Sequence, residues 1–218
     1  FCKKKKIKII LTAHNFEDQV ETFFIRLSRG SGLQGLSSMK QANKISGNIN
    51  LVRPLLDIKK IQLTKISKIV FGKFFKDPSN RDKKFLRTRI RNLKRILEKS
   101  GIKYDQVFRS IKNLASSRDT LDLYFSKIYK NLIQKKNSKV LLKLSSFDKL
   151  NQEMKMRVFN KIFKDFTNSY YAPRSKKIFN LINQLKTNKN AKLTLGGCVI
   201  LREKNHITFK KEIKNKQF

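Results

Sequence analysis

The chain has 218 residues, with 52 Lys and Arg against 15 Asp and Glu, a formal charge of +37. No apolar run approaches the ~20 residues that a membrane-spanning helix needs, and Lys3 to Lys6 precede only a five-residue strand candidate, too short for the apolar region of a signal peptide. The two cysteines, Cys2 and Cys198, stand far apart without C-x-x-C spacing, which excludes a zinc ribbon or a cysteine-held cluster built from this chain alone. They fit a reducing, cytoplasmic setting.

So large a positive charge points to nucleic acid, because lysine and arginine neutralise phosphates and release counterions. Lysine outnumbers arginine about three to one, and Asn, Ile and Phe are also abundant, so compositional drift accounts for part of the charge. The arginines run against that drift and are the better guide to function.

Residues 7–11 are apolar and β-branched and read as a buried strand. A helix follows, with Val20, Phe23, Phe24 and Leu27 at core spacing and His14, Glu17, Asp18 and Glu21 on another face. Gly30 supplies its stop. A polar helix face is ordinarily just solvated. Here three of only 15 acidic residues fall within five positions, beside one of two histidines, which favours a site. Zinc is disfavoured because no second His or Cys lies nearby; a carboxylate holding Mg²⁺ beside a phosphate fits the donor types better.

Residues 30–39 form a glycine- and serine-rich loop, and 50–56 a strand stopped by Pro54. A helix is expected over 59–71, ended by Gly72, and a turn at Asp77, Pro78, Ser79 and Asn80. The next helix carries Leu86, Ile90, Leu93 and Leu97 on one stripe and Arg87, Arg91, Lys94 and Arg95 on another. Arginine density there favours contact with an RNA backbone, since guanidinium grips phosphate bidentately. After Gly101 a long amphipathic helix is expected over 105–134, with Val107, Ile111, Leu114, Leu121, Phe125, Ile128 and Leu132 as core, then a boundary at 135–138. The remainder reads as a small α+β unit: a strand at 140–144, helices near 150–166 and 174–185, and strands near 191–195, 199–202 and 206–210. His206 reads as a surface strand position.

The run from Ala13 through His14, Asn15, Phe16, Glu17, Asp18, Gln19, Val20, Glu21 and Thr22 to Phe23, followed by Arg29, Gly30, Ser31, Gly32, Leu33, Gln34, Gly35, Leu36, Ser37, Ser38 and Met39, closely resembles the signature of the tRNA(Ile)-lysidine synthetases. Their pattern is A-H-H-x-D-D-Q-x-E-T-F, then R-G-S-G-x-x-G-L-x-x-M. Its first part is shared with other ATP-pyrophosphatases; its second is particular to this family. Arg53, Pro54, Leu55 and Leu56 match a family R-P-L-L element. The D-x-S-N turn and the F-x-R-N-x-I-R segment match at 77–80 and 85–91. The segments at 171–174 and 195–198 resemble the family's first C-terminal domain. Asn15 replaces a histidine, Glu17 an aspartate and Thr88 an asparagine.

The resemblance implies an α/β fold: the C-terminal part of a parallel-sheet PP-loop ATPase domain of adenine-nucleotide α-hydrolase type (1–104), a helical linker (105–136) and a small α+β tRNA-binding domain (137–218). It implies a cytoplasmic ligase that uses ATP and Mg²⁺ to join L-lysine to C2 of the wobble cytidine of tRNA(Ile) with a CAU anticodon, with homodimerisation left open and no membrane. In that reading His14, Asp18 and Glu21 are catalytic, and Asp18 supports Mg²⁺. Ala13, His14, Arg29, Gly30, Ser31 and Gly32 contact the nucleotide, and Arg53, Arg87, Arg89, Arg91, Lys94, Arg95 and Arg174 hold tRNA.

The family's phosphate loop, S-G-G-x-D-S, occurs nowhere in these residues. The chain therefore reads as a fragment lacking the first strand, that loop and the helix behind it. It is expected to be inactive alone and, with an exposed sheet edge, poorly soluble or unstable. Two alternatives are a noncatalytic tRNA-binding remnant and another PP-loop tRNA enzyme such as a 2-thiolation enzyme. The cysteine pattern and residues 29–39 disfavour the latter.

Overall fold

The apolar run ahead of the first motif forms β1 (Ile9–Leu11), which pairs in parallel with β3 (Ile49–Val52). The β2 strand (Ala42–Ser46) lies antiparallel on the other side of β3, giving the order β1-β3-β2. The sequence reading did not anticipate β2, whose mixed polar composition follows from pairing at an edge. Beyond β3, Pro54 has no N–H with which to continue the ladder. This computed structural model describes residues 1–46, 48–73, 77, 82, 84–136, 138–167 and 172–212. It divides into two units, Phe1–Leu121 and Asp122–Phe218.

In the first unit the helices are α1 (Phe16–Leu27), the single turn α2 (Leu33–Leu36), α3 (Lys60–Phe71), α4 (Leu86–Lys99) and the start of α5 (Tyr104–Leu132). Gly72 ends α3 in the left-handed region, at φ 66°. The core gathers Phe16 and Val20 of α1 with Tyr104, Val107, Phe108 and Ile111 of α5, and Phe23, Phe24 and Leu97 pack against it. The Phe16 and Phe108 ring centroids are 4.5 Å apart. Leu27, expected in this core, is instead 49% exposed, while Glu21, expected on the polar face, is buried. The face of α1 that turns inward is thus rotated from the apolar stripe toward Glu21. Of the expected turn at 77–80, Pro78, Ser79 and Asn80 lie outside the described residues.

The second unit has a five-stranded antiparallel sheet, ordered β4-β5-β8-β7-β6. Its strands are β4 (Ile133–Lys136), β5 (Lys139–Lys143), β6 (Lys192–Leu195), β7 (Cys198–Arg202) and β8 (His206–Lys211). Helices α6 (Leu144–Asp148), α7 (Gln152–Thr167) and α8 (Ser175–Thr187) accompany it. Val140, Leu142, Cys198, Ile200, Ile207 and Phe209 are buried on one face. Phe159 and Phe163 of α7 meet Phe209 edge-on at 5.4 and 6.0 Å. The guanidinium of Arg157, itself buried, donates to Asp122 at 2.7 Å and Glu153 at 2.8 Å. The long helix stops at Leu132, because Ile133 to Lys136 pair with β5 and form a hairpin arm where helix and boundary were expected. Both cysteines are free. Burial pushes the Cys198 thiol up to about 11, which keeps it in the unreactive form. Among the described residues no helix is long and apolar enough to cross a membrane.

Candidate active site

The start of α1 is built by its own side chains. Asn15 sits at the N-cap with extended backbone and accepts from the Asp18 N–H through Oδ1 at 3.1 Å. Asp18 returns the bond, its Oδ2 accepting from the Asn15 N–H at 3.0 Å. This reciprocal capping box satisfies two amide donors that a helix leaves orphaned, and Glu17 and Asp18 also complement the positive end of the helix dipole. Glu17 also reaches a second helix, where its Oε2 accepts from the Lys60 N–H at 2.8 Å, at the first residue of α3. The longer side chain standing where the resembling family has aspartate therefore joins α1 to α3.

Glu21 lies one turn further along, 2% exposed. Arg91 of α4 donates to it twice, Nε to Oε1 at 2.7 Å and Nη2 to Oε2 at 3.0 Å. Arg87 approaches the same carboxylate at 3.7 Å and donates to Thr22 Oγ1 at 3.2 Å. The Glu21 hydrogen bond and charge raise the pKa of Arg91 further. Next to this pair Tyr104 is buried, its hydroxyl without a hydrogen-bond partner among the described residues. Burial, then the nearby Glu21, Glu98 and Glu17, push its phenol up to about 12. Lys94 lies 4.9 Å from the Tyr104 ring centroid.

These groups enclose a pocket of about 370 Å³ whose walls include Asn15, Glu17, Asp18, Glu21, Arg91 and Tyr104. The lining sets the three carboxylates against three cations, Lys60, Arg91 and Lys94, beside the Tyr104 ring, a charge-balanced polar pocket within a protein of otherwise extreme positive charge. His14 lies just before the cap, its Nδ1 3.0 Å from Thr12 Oγ1. Its pKa is lowered from the usual imidazole value, first by burial; Asp18 opposes the shift, and Arg53 and Arg87 add to it. The ring is therefore neutral at pH 7 and can accept as well as donate.

The other expected site residues fall elsewhere. Arg29 and Gly30 are exposed just past the C-terminal end of α1, and a 12-residue helix is ~18 Å long. The structure therefore sets the loop at 29–32 apart from His14 and Asp18. That loop is tied down from several directions. Arg26 Nη1 donates to the carbonyls of Gly35 (2.8 Å) and Ser38 (2.9 Å). Arg118 donates to Ser37 Oγ at 2.9 Å. The Gln19 amide clasps the Met39 backbone at 2.9 and 2.8 Å. Gly35 has a steric reason to be glycine, since a Cβ there would lie 2.5 Å from Ser31 Cβ.

Of the basic residues assigned to tRNA, Arg53 is 8% exposed and donates to the Lys40 carbonyl at 2.9 Å. Arg87 and Arg91 are engaged by α1, and Lys94 by Tyr104. Arg89 and Arg95 are exposed on α4, and Arg174 is exposed in the second unit at the N-cap of α8. Gln19, Arg26, Tyr104 and Arg118 were missed by sequence reasoning. Gln19, Tyr104 and Arg118 are buried and Arg26 is half-buried, and burial of that kind depends on partners far along the chain. Among the described residues no group of three or more His, Cys, Asp or Glu side chains could hold a metal ion. Asp18 also commits one oxygen to its cap, which leaves a single carboxylate oxygen for any cation.

A family model described as a PP-loop domain matches residues 1–97. Similar proteins include the tRNA(Ile)-lysidine synthase of Wolbachia pipientis wMel, 30% identical over 97% of this chain and 49% of its own length. That of Rickettsia typhi is 31% identical over 99% of this chain and 50% of its own, and that of Ruegeria pomeroyi 28% identical over 97% and 50%. The chain thus spans about half the length of the curated relatives it matches. With the motif at 13–39 in place around a capped helix, residues 1–97 match the PP-loop domain family, and the chain is similar over nearly its whole length to tRNA(Ile)-lysidine synthases.

Proposed function

We propose that this chain is part of an ATP-dependent ligase that joins lysine to C2 of the wobble cytidine of tRNA(Ile) with a CAU anticodon. The observation that carries the reading is the motif at 13–39, which folds into the capped start of α1 beside the pocket lined by Asp18, Glu21, Arg91 and Tyr104. Adenylation converts the C2 oxygen of cytidine into a leaving group: the oxygen attacks the α-phosphorus of ATP and pyrophosphate departs. The ε-amine of lysine then forms a C–N bond at C2, AMP leaves, and the amine gives up a proton.

In this reading the chain's own groups position the amine. Asp18 keeps one carboxylate oxygen outside its cap and faces the pocket, where it holds the lysine ammonium. Glu21, already clasped by Arg91, acts as a positioning residue that fixes α1 against α4. Neutral His14, between Asp18 and the arginines Arg53 and Arg87, is suited to donate to a phosphate oxygen or to accept the amine proton. Exposed Arg89 and Arg95 serve the tRNA backbone, as does Arg174 in the second unit.

The phosphates of ATP are assigned to a loop outside these 218 residues, which contain no S-G-G-x-D-S sequence, so the 218 residues alone are expected not to release pyrophosphate. A magnesium ion beside Asp18 would draw its remaining ligands from the nucleotide and from outside the described residues. Titrating L-lysine into the 218-residue chain tests the pocket: saturable binding weakened at least about tenfold by Asp18→Asn supports it, roughly 1.4 kcal/mol. Equal binding by both would remove Asp18 from the lysine site.

A further inference from the structure

The first unit buries a polar atom that its packing does not use. Tyr104 opens α5 and is 3% exposed. Its ring belongs to the core of Phe16, Val20, Val107, Phe108 and Ile111. The Phe24 ring centroid lies 6.4 Å away, and Lys94 stands over the Tyr104 ring. Packing accounts for the ring and not for the oxygen. A phenylalanine would fill the same space, and the chain has 17 of them against 5 tyrosines. The hydroxyl has no hydrogen-bond partner among the described residues, and a buried polar group left unpaired costs free energy that a paired one does not.

The surroundings of that oxygen define what it lacks. Four charged groups act on the phenol, Glu21, Glu98, Arg91 and Glu17. All but Glu98 line the same pocket as Tyr104, so the hydroxyl end of the ring belongs to that pocket. Burial, reinforced by the three carboxylates, keeps the phenol protonated. It is thus a neutral group in a negative field, which attracts a cationic N–H donor to its lone pairs and repels an incoming anion. The protein's own cations do not fill the role: Arg91 turns to Glu21, Lys94 lies over the ring face, and neither bonds to the oxygen. An ammonium group on a ligand supplies the donor, since it carries three N–H bonds and a carboxylate oxygen uses only one of them.

We propose that the Tyr104 hydroxyl is part of the lysine site, its oxygen accepting a hydrogen bond from the ammonium group that Asp18 holds. The identity of the amine rests on the proposed ligase function. The core locks the ring, so the acceptor is in place before the substrate arrives, which reduces the ordering cost of binding.

The test is calorimetric titration of L-lysine into the 218-residue chain and into Tyr104→Phe, which keeps the ring and removes the oxygen. Loss of a hydrogen bond to a charged group is expected to weaken binding about tenfold or more. Without lysine the variant is expected to melt at an equal or higher temperature, because the unpaired hydroxyl is gone. The upward shift that saturating lysine gives the parent should shrink. Damage to the fold would lower stability and affinity together, so opposite effects isolate a binding role. Tyr129→Phe, which removes a phenol oxygen from the second unit, is expected to leave lysine affinity unchanged. Cadaverine, which is lysine without its carboxylate, should lose affinity for Tyr104→Phe by a similar factor.

A loss confined to lysine would give the hydroxyl to the carboxylate and overturn the assignment. A lower melting temperature without lysine would show that the oxygen already has a partner in the fold, with the same consequence. Equal lysine affinity in parent and Tyr104→Phe is the result expected if a buried water alone satisfies the oxygen, and it removes this inference while leaving the lysine site standing. No lysine binding by the parent would remove the proposed site and this inference together.

Discussion

Arg91 closes a two-bond clasp on the buried carboxylate of Glu21, at 2.7 and 3.0 Å. The acidic face of α1 is therefore not one undifferentiated set of reactive groups. Glu21 ties α1 to α4, Glu17 caps α3, and Asp18 caps its own helix while keeping a carboxylate oxygen for the pocket. Structure and proposed chemistry share the same side chains, and variants must be chosen to separate them.

Arg91→Ala leaves the Glu21 carboxylate buried without its two-bond partner, with Arg87 at 3.7 Å. Breaking a buried pair typically costs about 3–5 kcal/mol. The remaining guanidinium and the partial exposure of Arg91 place the expected loss at about 2–3 kcal/mol, read by urea unfolding of the 218-residue chain. Glu21→Gln, which removes the charge and keeps the shape, should cost less. If Arg91→Ala unfolds at the same urea concentration as the parent, the clasp does not hold the unit together.

Asn15→Ala removes the acceptor that caps the Asp18 N–H. Loss of such a cap typically costs about 1 kcal/mol, so a small drop in melting temperature is expected. Asn15→Asp keeps an acceptor and should hold most of the stability. Equal losses in the two variants would contradict the capping assignment.

Gly35→Ala places a methyl group against Ser31 Cβ. Overpacking of this kind costs about 1–3 kcal/mol, and here it should displace the loop at 29–38. Limited proteolysis near Arg29 checks this: faster cleavage in the variant is expected, and an unchanged digestion pattern would mean the close approach is not enforced.

His14 has its pKa lowered by burial. The unfolded chain therefore takes up a proton at higher pH than the folded one. The contribution to stability is complete above the ordinary imidazole value near 6.5 and is lost as pH falls below it toward the folded value. Unfolding between about pH 7.5 and 5.5 should show declining stability that His14→Asn makes shallower. An imidazole resonance of His14 titrating above the ordinary value would reverse the sign.

Local signals were legible in the sequence where they acted over a few residues. The strand before His14, the α3 helix with its Gly72 stop, and the terminal strands were all readable from period and punctuation. So was the motif at 13–39, which pointed to the family. What was not legible depended on partners far along the chain. Leu27 keeps the apolar spacing of a core residue but stays half exposed, whereas Glu21 is buried because Arg91 stands seventy positions away. The β4 strand escaped notice because Ile133 to Lys136 become a strand only through pairing with β5. The tRNA assignment of Arg87 and Arg91 rested on their shared helix face, and the sequence could not show that this face meets α1.

Delivery of lysine to an activated cytidine by the Asp18 pocket is tested most directly by incorporation of radiolabelled lysine into tRNA(Ile). The measurement uses the complete enzyme carrying these residues, with ATP present. Asp18→Asn retains an oxygen able to cap Asn15, so folding and tRNA binding should persist while incorporation falls at least about a hundredfold, near 2.7 kcal/mol. Incorporation at the parent rate in Asp18→Asn, or no ATP-dependent incorporation by the parent enzyme, would contradict the account.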